Sequence, residues 1–238
     1  MPKNPITALF TMNPSRDYVG FKNTHPQDIL HWAVETYQEK LVVVTSFQPT
    51  GIVGLHMLQK IAPDLQVITL DTGLLFPETY SLIERLKDHF ELNLCCIQPA
   101  LSLEEQAAQY GEKLWESDPD KCCYFCKVLP LQKNLLNFRA WITGLRRDQS
   151  PQRGKIPIVM WDKQFQIAKI SPFANWTENM IWEYIKAHDL PYNELHERGF
   201  PSIGCEPCTV PISVENTNNR DGRWPRHNKV ECGIHFST

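Results

Sequence analysis

Leu41-Val-Val-Val-Thr-Ser-Phe-Gln-Pro-Thr-Gly51 opens with a β-branched run, passes through a polar loop and leads into the apolar segment Ile52 to Ile61. A short run of apolar residues without alternation suits a strand covered on both faces in a parallel sheet, and the apolar segment has helical length. The local order is strand, loop, helix. It repeats downstream, with a strand at Gln66 to Leu70, the loop Asp71-Thr-Gly-Leu-Leu-Phe-Pro77, a helix from Glu78 to about Phe90 and a third strand at Leu92 to Ile97. This alternation predicts an α/β fold, a doubly wound, mainly parallel sheet with helices on both faces. Ligands of such sheets sit beyond the carboxyl ends of the strands, so the loops after Thr45 and Leu70 are both expected at the site.

Upstream, residues 1–23 carry Pro2, Pro5 and Pro14 without periodicity and read as an N-terminal arm. From Thr24, a capping residue, a helix is expected with Pro26 in its first turn and Ile29, Leu30, Ala33, Val34 and Tyr37 on one face. Downstream, Leu101 to Leu114 reads as helical, and Ser117-Asp-Pro-Asp120 breaks the pattern. Ala140 to Thr143 reads as a strand feeding Gly144-Leu-Arg-Arg-Asp-Gln-Ser150 and Arg153. These arginines are either solvated surface or a bidentate clamp for an anion at the carboxyl end of the sheet. Val159 to Asp162 and Gln164 to Ile170 fit a hairpin. Thr177 caps a helix with Met180, Ile181, Tyr184 and Ile185 on one face. The α/β domain is expected over 24–210 and a flexible tail over 211–238, because residues 213–229 are polar and lack apolar periodicity.

The chain has 238 residues and a net charge of −3, which argues against a general nucleic-acid binder. No apolar run approaches a membrane span, and the first residues lack the pattern of a signal peptide. A cytosolic protein is expected, and in a reducing compartment eight cysteines point to metal or catalytic use. Cys122 and Cys123 are adjacent, about 3.8 Å apart at Cα, too close for a relaxed disulfide. Cys205-Glu-Pro-Cys208 has the spacing that brings two thiolates to one inorganic centre. Together they supply four sulfurs. A [4Fe-4S] cluster offers one iron per thiolate and suits the doublet better than zinc, which requires all four to converge on one atom. Cys95 and Cys96 fall in the third apolar run and read as small hydrophobes. Cys232 stands alone, three residues after Lys229 and three before His235, with Arg220, Arg223 and Arg226 upstream. Positive charge stabilises a thiolate, the attacking species. The alternative is an incidental thiol in a frayed tail.

These motifs resemble the assimilatory adenylyl-sulfate (APS) and phosphoadenylyl-sulfate (PAPS) reductases of the PP-loop adenine-nucleotide superfamily. The resemblance runs from Thr24 to His235: Thr-Ser-Phe at 45–47, Leu-Asp-Thr-Gly-Leu-Leu-Phe-Pro-Glu-Thr-Tyr at 70–80, Lys-Cys-Cys-x-x-x-Lys-Val at 121–128, Gly-Leu-Arg-Arg-x-Gln-Ser at 144–150, Gly-Cys-x-x-Cys-Thr at 204–209, Gly-Arg-Trp at 222–224 and Lys-x-Glu-Cys-Gly-Ile-His at 229–235. It implies that Cys232 attacks the sulfur of a sulfonucleotide, that AMP or its 3′-phosphorylated form leaves, and that thioredoxin or glutaredoxin releases sulfite from the resulting S-sulfocysteine. It further implies a cluster on Cys122, Cys123, Cys205 and Cys208, acting as an electrostatic and structural element. Phosphosulfate contacts are implied for Lys127, Arg220, Arg223 and His235, with Arg146 or Arg147 contributing. The nucleotide cradle corresponds to the 45–51 loop, including Ser46 and Phe47, and to the Asp71-Thr72-Gly73 loop. Two departures stand out: Cys126 replaces the arginine usual before the lysine of the doublet motif, and the first loop lacks the Ser-Gly-Gly of ATP-splitting relatives. The cysteine pairs favour APS as substrate, with PAPS or dual specificity as the alternative. A tRNA-thiolating relative would need that missing loop and a basic surface. A non-enzymatic iron-sulfur sensor or binding module would leave Cys232 idle. Monomer and homo-oligomer both stay open.

Overall fold

The computed structural model describes residues 21–213 and 218–235. The arm expected at 1–23 therefore lies outside the described residues, apart from its last three. Helix α1 (Pro26–Tyr37) starts on a proline that has no N–H to lose, and it buries Ile29, Leu30 and Ala33. Its cap is His25 rather than Thr24: the imidazole accepts from Gln27 N at 3.3 Å.

Strand β1 (Leu41–Val44) leads into α2 (Pro49–Gln59), which begins three residues ahead of the apolar run because Pro49 pre-sets the first helical φ. Strand β2 (Val67–Leu70), α3 (Pro77–His89) and β3 (Leu94–Ile97) complete the repeat. The helix expected over Leu101 to Leu114 is split. Helix α4 (Leu103–Tyr110) is fixed by a Ser102/Glu105 capping box, stops at Gly111 with φ 92°, and is followed by the single turn α5 (Leu114–Ser117).

Asp118 caps α6 (Pro119–Cys123), which continues through a π-helical turn at Tyr124–Val128 into α7 (Leu129–Leu135). Pro130 has no N–H to give the carbonyl four residues back, and the turn ahead of it is widened accordingly. Strand β4 (Ala140–Ile142) follows, then the hairpin β5 (Val159–Asp162) and β6 (Ile167–Ile170), and then α8 (Glu178–Ala187), capped by Thr177.

The six strands run in the order β3-β2-β1-β4-β6-β5, and every neighbouring pair is parallel except β5 with β6. Inward and outward residues alternate along β1 and β4. Val43 and Ile142 join Ile29, Ile52, Leu82 and Ile181 in a core under α1, α2, α3 and α8. Val42 and Trp141 face the opposite core with Leu131 and Leu135 of α7. Helices thus cover both faces. Met180 is 39% exposed, so the buried stripe of α8 reduces to Ile181 and Ile185. In the edge strand β3, Cys95 is half-buried and Cys96 exposed, so Cys96 is no core hydrophobe. The chain winds in opposite directions from β1 and from β4, and a crevice opens at that switch point.

Candidate active site

A cleft of about 230 Å³ lies at the carboxyl ends of β1, β2 and β4, where Val44, Leu70 and Thr143 form part of its wall. Its floor is the loop Thr45–Gly51 and the start of α2, whose backbone N–H groups point toward the ends of the strands. Close approach is built in. A Cβ on Gly51 would lie 2.3 Å from Thr45 Oγ1, so only glycine lets the loop fold back on its strand. Thr45 Oγ1 instead accepts from Phe47 N at 3.0 Å, which holds Phe47 at φ 53°.

The candidate binding residues divide. Ser46, Thr72, Lys127, Arg146, Arg220, Arg223, Cys232 and His235 all line the cleft. Phe47, Gly73 and Arg147 do not. Phe47 is 1% exposed and belongs to the helix-covered core, where it props the loop from beneath. Gly73 serves the turn: at φ 71° its N–H donates to Asp71 Oδ1 at 3.0 Å. Asp71 also accepts from Tyr80 Oη at 2.7 Å and Gln98 Nε2 at 3.1 Å, so it braces the loop that presents Thr72. Arg147 donates to Ile156 O at 2.9 Å and to Asn175 Oδ1, away from the cleft. Its neighbour Arg146 turns inward, with Nη1 on Thr50 Oγ1 at 2.6 Å and Nε on Asp148 at 2.8 Å.

Residues 218–235 form one wall of this cleft. Trp224 is 1% exposed; its backbone N–H donates to Cys208 O at 2.9 Å, and Val210 N donates to Gly222 O at 2.9 Å. Arg223 stacks on Trp224 at 4.6 Å and lies across Gly204, where a Cβ would meet Nη2 at 2.0 Å. Gly204 is thus the gap through which the guanidinium reaches the cleft. Arg223 Nε and His235 Nδ1 are buried donors or acceptors without a partner among the described residues, and both residues line the cleft. Burial holds His235 well below the ordinary histidine range, reinforced by Lys169, Arg153 and Arg220, so its ring is neutral. Burial draws Arg220 down to about 10, assisted by Arg153 and opposed by Glu231. Glu231 and Lys169 carry no signal in the sequence that marks them as site residues, and Arg153 reads there as either surface or clamp; Arg153 and Glu231 line the cleft, and Lys169 Nζ donates to His235 O at 3.1 Å.

Beside the cleft is a second, closed hollow lined by Cys122, Cys123, Cys126, Cys205 and Cys208 together with Thr72, Trp115 and Lys127. All five thiols are buried and unpaired by disulfides. Lys127 bridges the two chambers, its Nζ 3.8 Å from Cys123 Sγ, and Thr72 Oγ1 lies 3.3 Å from Cys205 Sγ. Burial opposes the charge of Lys127, but Cys205, Cys123 and Cys232 outweigh it and hold the ammonium above the ordinary lysine range. Burial pushes Cys208 up to about 11 and Cys123 upward as well. Cys122 is raised chiefly by its hydrogen bond to Cys126, which the same bond lowers to about 7. Among the described residues no three His, Cys, Asp or Glu side chains converge to hold a single metal ion.

A mainly parallel α/β sheet with a cation-lined cleft at its switch point, a thiol-lined hollow beside it and a cysteine in the cleft wall defines a class of anionic-nucleotide-handling proteins. The chain belongs to the family of the phosphoadenosine phosphosulfate reductase domain, whose model matches residues 40–211. It is 46% identical over 217 residues to the adenosine 5′-phosphosulfate reductase of Salinibacter ruber, covering 91% of this chain and 86% of that one. With the enzyme of that name from Halalkalibacterium halodurans the identity is 47%, covering 87% of this chain and 90% of that one. Among solved structures, the phosphoadenylyl-sulfate reductase of Candida auris superposes with a TM-score of 0.73 at 32% identity, over 84% of this chain and 99% of that one. The FMN adenylyltransferase of Candida glabrata shares the fold alone, with a TM-score of 0.56 at 14% identity over 98% of this chain and 83% of that one.

Proposed function

We propose that this chain reduces adenylyl sulfate to sulfite and AMP with a dithiol protein, thioredoxin or glutaredoxin, as reductant. The observation that carries this reading is that Cys232 stands in the wall of the same cleft as Lys127, Arg146, Arg220 and Arg223, at the carboxyl ends of the strands. The thiolate of Cys232 attacks the sulfate sulfur, the bond from that sulfur to the bridging oxygen breaks, and AMP leaves with the electron pair. This yields S-sulfocysteine. A reductant thiolate then attacks Sγ of Cys232 and expels sulfite, and its second thiol resolves the mixed disulfide, leaving Cys232 reduced and the reductant oxidised. The surrounding cations neutralise an anionic sulfo group as an anionic nucleophile approaches it. His235, neutral and with Nδ1 without a partner among the described residues, would hydrogen-bond the same group.

The five-thiol hollow fits a [4Fe-4S] cluster in its donor chemistry: buried sulfurs from two separate segments around a common space, with a lysine ammonium above them. Cys122, Cys123, Cys205 and Cys208 would hold it, and it would supply a fixed charge distribution beside Lys127 rather than electrons. Cys126 sits where the family usually has arginine. Iron and acid-labile sulfide assays on anaerobically purified protein should find four of each per chain. Among the described residues no helix is long and apolar enough to cross a membrane, and a thiol-reducing cytosol suits the eight cysteines.

The adenosine phosphosulfate reductases among the relatives favour the unphosphorylated substrate, and the Candida auris structure keeps phosphoadenylyl sulfate as the second reading. Sulfite release from each nucleotide with thioredoxin separates them. A larger kcat/KM for adenylyl sulfate is expected; the reverse would overturn the specificity, and no sulfite from either would sink the reductase reading in favour of a sensor.

A further inference from the structure

We propose that Arg153 is a positioning residue: paired with Glu231, it forms a buried latch on one side of Cys232, matched by Lys169 on the other. The inference rests on Cys232 as the nucleophile. Arg153 Nε lies 2.7 Å from Glu231 Oε1 and Nη2 lies 2.8 Å from Oε2, with side-chain exposures of 7% and 8%. Such a two-point fork fixes orientation as well as distance. Glu231 immediately precedes the cysteine. Arg220 reinforces it, with Nη2 3.3 Å from Oε2 and 3.0 Å from Val230 O.

Past the cysteine, Gly233 at φ 84° turns the chain so that Ile234 enters the α7-side core. Lys169 Nζ on β6 then donates to His235 O at 3.1 Å, while Asp162 lies 3.6 Å from the same ammonium. The short segment carrying Cys232 is therefore gripped by two cations from the sheet domain, whereas Val230, just ahead of it, is 53% exposed. Removing one partner of a buried ion pair leaves the other charge uncompensated, so this grip releases when either side is neutralised.

The test is made on the full chain, purified anaerobically, with Arg153→Gln, Arg153→Lys and Glu231→Gln. Iodoacetamide labelling of the Cys232 peptide is followed by mass spectrometry, beside AMP affinity and sulfite kcat. The isosteric Glu231→Gln, and the shorter and neutral Arg153→Gln, should speed labelling at least about tenfold and lower kcat by a similar factor. AMP affinity should stay within about twofold. Arg153→Lys, which keeps the charge but not the two-point fork, should fall between. Unchanged labelling in both neutralised variants would overturn the latch, as would AMP affinity falling in step with kcat, which would make Arg153 a substrate ligand. A wild-type chain that releases no sulfite overturns the reductase reading alone, and the labelling rates still decide the latch.

Discussion

Neighbouring residues of one loop have opposite fates here. Arg146 and Arg147 are indistinguishable as a sequence pair, yet the first reaches Thr50 beneath the cleft and the second ties down Ile156 and Asn175. Arg146→Ala should therefore lower kcat/KM at least about tenfold, while Arg147→Ala acts mainly on stability, by about 1 kcal/mol; steady-state kinetics beside thermal melts separate the two. Gly204 carries a second prediction of this kind. A methyl group there would collide with the Arg223 guanidinium, so Gly204→Ala should raise KM about tenfold with the melting temperature little changed. A KM equal to wild type would mean that Arg223 does not meet the substrate. The motifs around both arginines were legible in the sequence, but which side chain turns inward was not. Direction depends on partners, Thr50 of α2 for Arg146 and Ile156 and Asn175 for Arg147, and spacing along the chain does not encode them. Phe47 is a similar case, since its place in a nucleotide-loop motif gives no sign that the ring props the loop from the core.

At the level of elements, β-branched runs and turn residues foretold the strands well, because a strand buried on both faces has little freedom in composition. Helix ends were less legible. The expected cap Thr24 yields to His25, and one expected helix becomes α4 and α5, where Gly111 and the left-handed Lys113 interrupt it. Thr177 is a cap seen both ways: its hydroxyl accepts from Met180 N at 3.4 Å. Thr177→Ala should cost about 1 kcal/mol of stability, read as a fall in Tm, and no change would show that α8 is held by packing alone. The polar stretch after Ser213 lacked any periodicity. Even so, its described part buries Trp224 and pairs Glu231 with Arg153 across 78 residues of sequence. Pairings of that range are set by the assembled sheet and leave no local pattern.

The whole molecule responds to pH through histidines inside and outside the cleft, His235 within it and His196 beyond it. His196 packs edge-on against Trp182 at 5.3 Å with Nε2 enclosed and unpartnered among the described residues, and burial lowers its pKa to about 4. The unfolded chain takes up a proton near 6.5 that the folded chain refuses until about 4. The folded state is therefore favoured in full above pH 6.5 and loses stability as pH falls through this window, on the order of 2 kcal/mol from this residue. Urea melts should show that slope between pH 6.5 and 4, and His196→Leu should reduce it by this residue's share; an unchanged slope would assign the loss to other groups, His235 among them. Across the molecule the proposed activity turns on one bond, from Cys232 Sγ to the transferred sulfur. The direct test mixes the reduced protein with adenylyl sulfate and no dithiol, then maps the peptides by mass. It predicts one SO3 group per chain, on Cys232 alone, formed together with AMP and released as sulfite when thioredoxin is added. AMP release with an unmodified Cys232, or the SO3 group on another cysteine, would contradict it.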